Sequence, residues 1–282
     1  SGILTSTDIA EGIYYAYEQG ADVINMSFGG TGRSLLEEEA LAVAFGNAVL
    51  VASAGNQGSQ NQRCYRLPVQ TIYPAAYTYV LGVMAQAPAS NSDGDWLAGF
   101  SNWDCKAQNG IEYDLMAPGV DVLSTFPGDG YAAWDGTSMS APVVSGLAAL
   151  VRTRFSDRSI YSSRFVMGQM ASTGAVLQAK TPCLNCEPIS ARAANGLEAL
   201  VNTPRPSLGF QEFWLWDDAG ISAENDDDGA PDAGETVQLA VVIKNRWGQA
   251  SNVQVTLSAE AAAAGPDPYV SWDVAMVDYG ST

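Results

Sequence analysis

Gly136-Thr137-Ser138-Met139-Ser140-Ala141-Pro142 is a small turn that runs straight into Val143, Val144, Leu147, Ala148, Leu150 and Val151. Those apolar positions read as the buried stripe of a helix, so the stretch predicts a turn and then a helix with Ser138 at its N-terminus. A serine there has two uses. It can cap the helix by accepting a hydrogen bond from an orphan amide of the first turn. It can also be a nucleophile, held where free amides and the positive end of the helix dipole stabilise a developing oxyanion.

Upstream, helices alternate with short apolar runs. Apolar positions Ile9, Ile13, Ala16 and Tyr17 predict a helix over Thr7–Gln19, capped by Ser6 or Thr7 before Asp8 and stopped by Gly20. A buried strand over 23–27, a helix over Leu35–Phe45 and a second buried strand over 48–54 follow. Such alternation predicts an α/β fold, a parallel sheet flanked by helices. Ligands of these sheets bind beyond the carboxyl ends of the strands, where Ser27-Phe28-Gly29 and Ser53-Ala54-Gly55-Asn56 fall together. Further along, a strand over 80–84, a strand pair over 122–126 and 131–134, and helices over 138–155 and 159–170 complete the pattern.

The Ser138 heptapeptide resembles the nucleophile motif of the subtilisin-like serine proteases. Three upstream segments resemble the same family in the same order: Asp22-Val23-Ile24-Asn25-Met26-Ser27-Phe28-Gly29-Gly30, Ala52-Ser53-Ala54-Gly55-Asn56-Gln57-Gly58 and Asp114-Leu115-Met116-Ala117-Pro118-Gly119-Val120. The resemblance covers about Ser1 to Asn202. It implies that Ser138 is the nucleophile and that Asn56 donates to the oxyanion beside the Ser138 amide. It also implies that Ser27, Phe28, Gly29, Ser53, Ala54 and Gly55 line the substrate cleft. Taken without the resemblance, each is an ordinary strand-end or turn residue.

That chemistry needs a base, and the family uses an Asp, a His and a Ser in that chain order. The sequence holds no histidine. Two expectations stand side by side. Either the Asp-bearing and His-bearing segment lies upstream of this chain, which is then inactive alone and depends on that partner to stay folded, or the chain is a non-catalytic binding module of the same fold.

Composition narrows the class further. With 282 residues at 47% hydrophobic content the chain can bury a sizeable core, and no apolar run is long enough to span a bilayer. The formal charge of -18, from 31 acidic against 13 basic residues, argues against nucleic acid or anionic lipid as a partner. No signal sequence opens the chain, which reads as a mature or trimmed product. Four cysteines allow three pairings, of which Cys64 with Cys105 and Cys183 with Cys186 are favoured over a zinc site or a redox pair. Disulfides imply an oxidising compartment and a secreted protein.

Past Asn202 the pattern changes. Residues 203–210, with Pro204 and Pro206, read as a linker, and 211–282 as a β-rich, sandwich-like module in which Val237, Leu239, Val241 and Ile243 alternate with other residues. Before its first strong strand, Glu224, Asp226, Asp228, Asp232 and Glu235, with Gly229 at the sixth place, match the spacing of a twelve-residue calcium loop. They are candidate calcium ligands, with a solvated acidic turn as the alternative.

Overall fold

The computed structural model describes residues 4–58, 71–88, 97–103, 113–178, 190–202, 207–216, 236–247, 253–256 and 276–280. The cysteine pairs and the acidic loop at 224–235 lie outside the described residues.

Helix α1 (Ser6–Glu18) starts one residue earlier than the spacing predicts, because Thr5 is the cap. The Thr5 hydroxyl accepts from the Asp8 amide at 3.2 Å, and the Asp8 carboxylate accepts from the Thr5 amide at 2.9 Å, a reciprocal box that fixes the first turn. Helix α2 (Leu35–Phe45) has the bounds read from the sequence, with Ser34 as its cap.

Between and after these helices run β1 (Val23–Met26), β2 (Val49–Ser53), β3 (Leu81–Gln86) and β4 (Leu115–Pro118), all parallel to their neighbours. The sheet continues through β8 (Ser190–Ala193) to β7 (Ala175–Gln178), so its six-stranded order is β1-β2-β3-β4-β8-β7. Strands β7 and β8 pair antiparallel. They were not read from the sequence, since neither carries a long apolar run.

All five residues of β2 are buried, alternately toward two cores. Leu50 and Ala52 face the core that α1 and α2 cover with Ile13, Leu41 and Ala44. Val49 and Val51 face the other, filled by Val144, Leu147 and Val151 of α3 (Thr137–Arg154) and by Val166 and Met170 of α4 (Ser163–Thr173). Burial on both faces is why these strands read as continuous apolar runs. No described helix is long and apolar enough to cross a membrane.

Helix α4 begins four residues later than the predicted 159. The Asp157 carboxylate accepts from both the amide and the hydroxyl of Ser159, at 3.0 and 2.6 Å, which builds a local turn and leaves Ser162 to cap the helix. Buried Arg152 joins the surrounding pieces: its guanidinium donates to the carbonyls of Tyr161 (2.8 Å) and Asn47 (2.9 Å) and to the Ser163 hydroxyl (3.0 Å).

The strand pair β5 (Val122–Phe126) and β6 (Gly130–Trp134) is antiparallel, as expected, and closes at Gly128 and Asp129, both with positive φ. Helix α5 (Gly196–Val201) ends the region of the two cores. Beyond it, β9 (Ser207–Trp216) pairs antiparallel with β10 (Gln238–Trp247), and β11 (Val253–Thr256) with β12 (Met276–Gly280). Strand β9 starts inside the stretch read as a linker.

Candidate active site

Parallel pairing of β1 with β2 puts both carboxyl ends on one side of the sheet, where the N-terminus of α3 also arrives. The helix cap is Gly136, which makes no side-chain cap bond, and Ser138 is the second helical residue. Its half-buried hydroxyl does not bond an amide of its own helix but donates to the Ser27 carbonyl at 3.3 Å. The capping role is therefore excluded. Gly136 has φ of 151°, and a Cβ on it would sit 3.3 Å from both the Asn56 amide nitrogen and the Met139 sulfur. Glycine alone suits that position.

Asn56 is held in one orientation. Its side-chain oxygen accepts from the Thr137 amide at 3.0 Å and from the Thr137 hydroxyl at 2.8 Å. With the oxygen taken, the amide nitrogen is the end left over, and no described residue accepts from it. The Thr137 hydroxyl in turn accepts from the Gly55 amide at 3.1 Å. One buried threonine thus ties the loop after β2 to the first turn of α3.

A second tie is Asn102, fully buried. Its side chain accepts from the Gln57 amide at 2.9 Å and donates to the Ala54 carbonyl at 2.9 Å and the Gln57 side-chain oxygen at 3.1 Å, while its backbone amide donates to the Gly55 carbonyl at 2.9 Å. Gly55 has φ of 102°, and a Cβ there would meet the Asn102 side chain at 2.7 Å. A third tie runs along β1: the Ser145 hydroxyl donates to Asn25, Asn25 to the Ser27 hydroxyl, and that hydroxyl to the Ser138 carbonyl, at 3.0, 2.9 and 2.9 Å.

The residues singled out from the sequence divide in two. Ser138, Asn56 and Ser27 converge, and Phe28 and Gly29 continue from Ser27 along an adjacent cavity. Ser53 and Ala54 are buried, at 4% and 0% exposure, and the backbone groups of Ala54 and Gly55 are bonded within the protein. Thr137 and Asn102 received no role in the sequence reading. A threonine between Gly136 and Ser138 could have been suspected; Asn102 could not, because its partners lie 45 residues away.

Chemically, the arrangement offers a hydroxyl at a helix N-terminus, the orphan Ser138 amide and the Asn56 amide nitrogen, which is the equipment for stabilising an oxyanion. A model of the subtilase family matches residues 1–181, a span that contains all of these groups.

The chain belongs to the subtilase family.

The thermophilic serine proteinase of Bacillus sp. (strain AK1) is 40% identical over 155 residues, covering 55% of this chain and 34% of that protein. Subtilisin DY of Bacillus licheniformis is 37% identical over 179 residues, covering 63% of this subtilase and 58% of its own length. The major intracellular serine protease of Bacillus subtilis (strain 168) is 41% identical over 146 residues, covering 51% and 41%. This subtilase therefore spans between about a third and three fifths of these relatives, at 34% to 58%. Among solved structures, the S41 psychrophilic protease superposes with a TM-score of 0.57 at 28% identity, over 68% of this chain and 63% of that one. Sphericase, at 24% identity and a TM-score of 0.57, shares the fold.

Proposed function

We propose that this chain is the nucleophile-bearing part of a serine endopeptidase whose general base and orienting carboxylate come from residues outside these 282. The observation that carries the reading is Ser138 itself: a serine at a helix N-terminus that does not cap its helix and lies beside an asparagine whose oxygen is locked away. In the assembled enzyme the Ser138 oxygen bonds to the scissile carbonyl carbon as its proton passes to an imidazole. The carbonyl oxygen becomes an oxyanion held by the Ser138 and Asn56 N–H groups. The amine then leaves with the proton, and water releases the acyl group in a second round.

Substrate is expected to pair in extended form along Ser27, Phe28 and Gly29. Ser53, Ala54 and Gly55 shape the wall opposite, since their backbone groups are already engaged. The absence of histidine supports a second reading, a non-catalytic subtilase that binds peptides in the same cleft. Intact mass of the native, non-reduced protein with peptide mapping separates the two. A co-purifying polypeptide that carries an Asp and a His supports the peptidase; its absence supports the binding module.

The finer features of this reading rest on sequence. Residues 1–202 form the peptidase part, 203–210 the connection and 211–282 the β-rich module. Bridges Cys64–Cys105 and Cys183–Cys186 fit secretion, although one relative is named as intracellular. Calcium held by Glu224, Asp226, Asp228, Asp232 and Glu235 follows from their spacing. Among the described residues no acidic or cysteine cluster could hold a metal. A chelator that lowers the melting temperature, with recovery on adding calcium, is the expected result.

A further inference from the structure

Ser27 holds Ser138 at two points. The Ser138 hydroxyl donates to the Ser27 carbonyl at 3.3 Å, and the Ser138 carbonyl accepts from the Ser27 hydroxyl at 2.9 Å. The second bond has its cause inside α3. A helical carbonyl ordinarily accepts from the amide four residues on, but four residues after Ser138 stands Pro142, which has no N–H. The Ser138 carbonyl therefore lacks its regular donor, and the Ser27 hydroxyl supplies one from the end of β1.

That donation fixes the sense of the bonds behind it. A serine hydroxyl carries one proton, so Ser27, having given its own to Ser138, can only accept from Asn25. Asn25 must then turn its amide nitrogen to Ser27, at 2.9 Å, and its oxygen to Ser145, whose hydroxyl donates to it at 3.0 Å. Ser145 has a second acceptor in reach, the Ala141 carbonyl at 3.0 Å, but that group already receives the Ser145 amide in the helix ladder. The opposite sense, with Ser145 donating to Ala141, Asn25 to Ser145 and Ser27 to Asn25, makes as many bonds. It leaves the part-buried Ser138 carbonyl with neither Ser27 nor a ladder donor, whereas the first sense orphans none of these groups.

We infer that Ser145 is a positioning residue for the nucleophile. From about two turns along α3 it sets the polarity of the Asn25 side chain, and through it the Ser27 hydroxyl that holds the Ser138 carbonyl. It touches no reacting atom. Losing its hydroxyl frees Asn25 to turn over, so that Ser27 gives its proton to Asn25 and lets go of Ser138. Asn25 is exposed on β1, the edge strand, where water competes for each bond, so the effect is that of one net hydrogen bond rather than of a buried network.

The effect on reactivity rests on the peptidase reading of Ser138, whereas the hydrogen bonds do not, and the two are measured apart. In the native protein, with whatever polypeptide accompanies it, the NMR resonance of the Ser138 carbonyl carbon reports the hydrogen bond, and the rate of fluorophosphonate labelling reports the hydroxyl. The resonance is expected to move in the same direction as in Ser27→Ala in two variants, Ser145→Ala and the near-isosteric Asn25→Asp, which keeps an acceptor toward Ser145 but removes the donor toward Ser27. It returns toward the parent position in Ser145→Thr. Thr153→Ala, which deletes a comparable bond to the Ala149 carbonyl within the same helix, leaves it in place. Labelling slows by roughly two- to tenfold in Ser145→Ala, the range of one net hydrogen bond, and recovers in Ser145→Thr. A resonance unmoved in Ser145→Ala and Asn25→Asp, an equal movement in Thr153→Ala, or unchanged labelling of Ser145→Ala beside a labelled parent overturns the inference. A parent whose Ser138 is not labelled defeats the peptidase reading instead, and the carbonyl resonance alone then decides whether Ser145 sets the position of Ser138.

Discussion

Thr137 grips Asn56 twice, its amide at 3.0 Å and its hydroxyl at 2.8 Å from the same side-chain oxygen. Gly136, just before them, turns the chain into α3 at a φ that glycine tolerates, and a Cβ there would press on the Asn56 amide at 3.3 Å. The orientation of the proposed oxyanion donor thus depends on the residue just before Ser138. Thr137→Val removes the hydroxyl bond and leaves Asn56 held by the Thr137 amide alone. Within the assembled peptidase, kcat is expected to fall roughly tenfold with KM little changed, the equivalent of about one hydrogen bond. Thr137→Ser should retain most of the rate, and equal losses in the two variants would show that the hydroxyl is not the operative group.

Removing the donor itself should cost more. Asn56→Leu is expected to lower kcat by about 10²–10³, a magnitude taken from subtilisin, the family's own reference case, rather than derived from this structure. A rise in KM at constant kcat would place Asn56 in ground-state binding instead.

Asn102 acts through the loop rather than on substrate. Asn102→Ala leaves the Ala54 carbonyl and the Gln57 amide without partners in a buried site, and is expected to cost about 2–3 kcal/mol in denaturant unfolding. A loss under 0.5 kcal/mol, far below that range, would mean that water replaces the side chain at no penalty.

Arg152 holds three acceptors from two segments, Asn47 and the stretch 161–163, and Arg152→Lys cannot reproduce a planar fork that reaches all of them. Desolvation, then the neighbouring Arg158, lowers the Arg152 pKa, with Asp22 opposing. The lysine variant is expected to lose about 2 kcal/mol of stability, close to what alanine loses, because either change takes a donor from the part-buried Tyr161 and Asn47 carbonyls and from the buried Ser163 hydroxyl. A lysine variant as stable as the parent contradicts this.

The cap of α1 makes the cavity rim sensitive to acid. Hydrogen bonds from the Thr5 hydroxyl and then its amide hold the Asp8 carboxyl below its ordinary value of 3.8. Because the folded value is depressed, the stabilisation is present above 3.8 and fades as pH falls through the lower folded value. Amide exchange over 8–10 should accelerate on acidification below pH 4 in the parent more than in Asp8→Asn, with pH 4 taken as roughly the ordinary carboxylate value. The same acceleration in both would remove Asp8 as its cause.

Much of this fold was legible in the sequence, because β1 and β2 are short, mostly apolar runs and α2 is bounded by Ser34 and Gly46. The parallel order of these elements followed from their alternation. What escaped reading depended on contacts across the chain. Strands β7 and β8 form where the edge of the sheet accepts them, through Met116 with Ala193, and their sequences carry no strong signal of their own. Asn102 reads as a loop polar residue until the Ala54–Gln57 turn is folded over it. Ser138 was the converse case: local sequence offered two roles, and the fold removes one of them, since Gly136 is the cap and the Ser138 hydroxyl bonds the Ser27 carbonyl.

The most direct test of the central claim is fluorophosphonate labelling of the native protein, with whatever polypeptide accompanies it, mapped by tandem mass spectrometry. The account predicts an adduct on Ser138 that is strongly reduced in Asn56→Leu and absent from the 282-residue chain purified alone. A folded native protein in which Ser138 stays unlabelled while subtilisin under the same conditions reacts would contradict it.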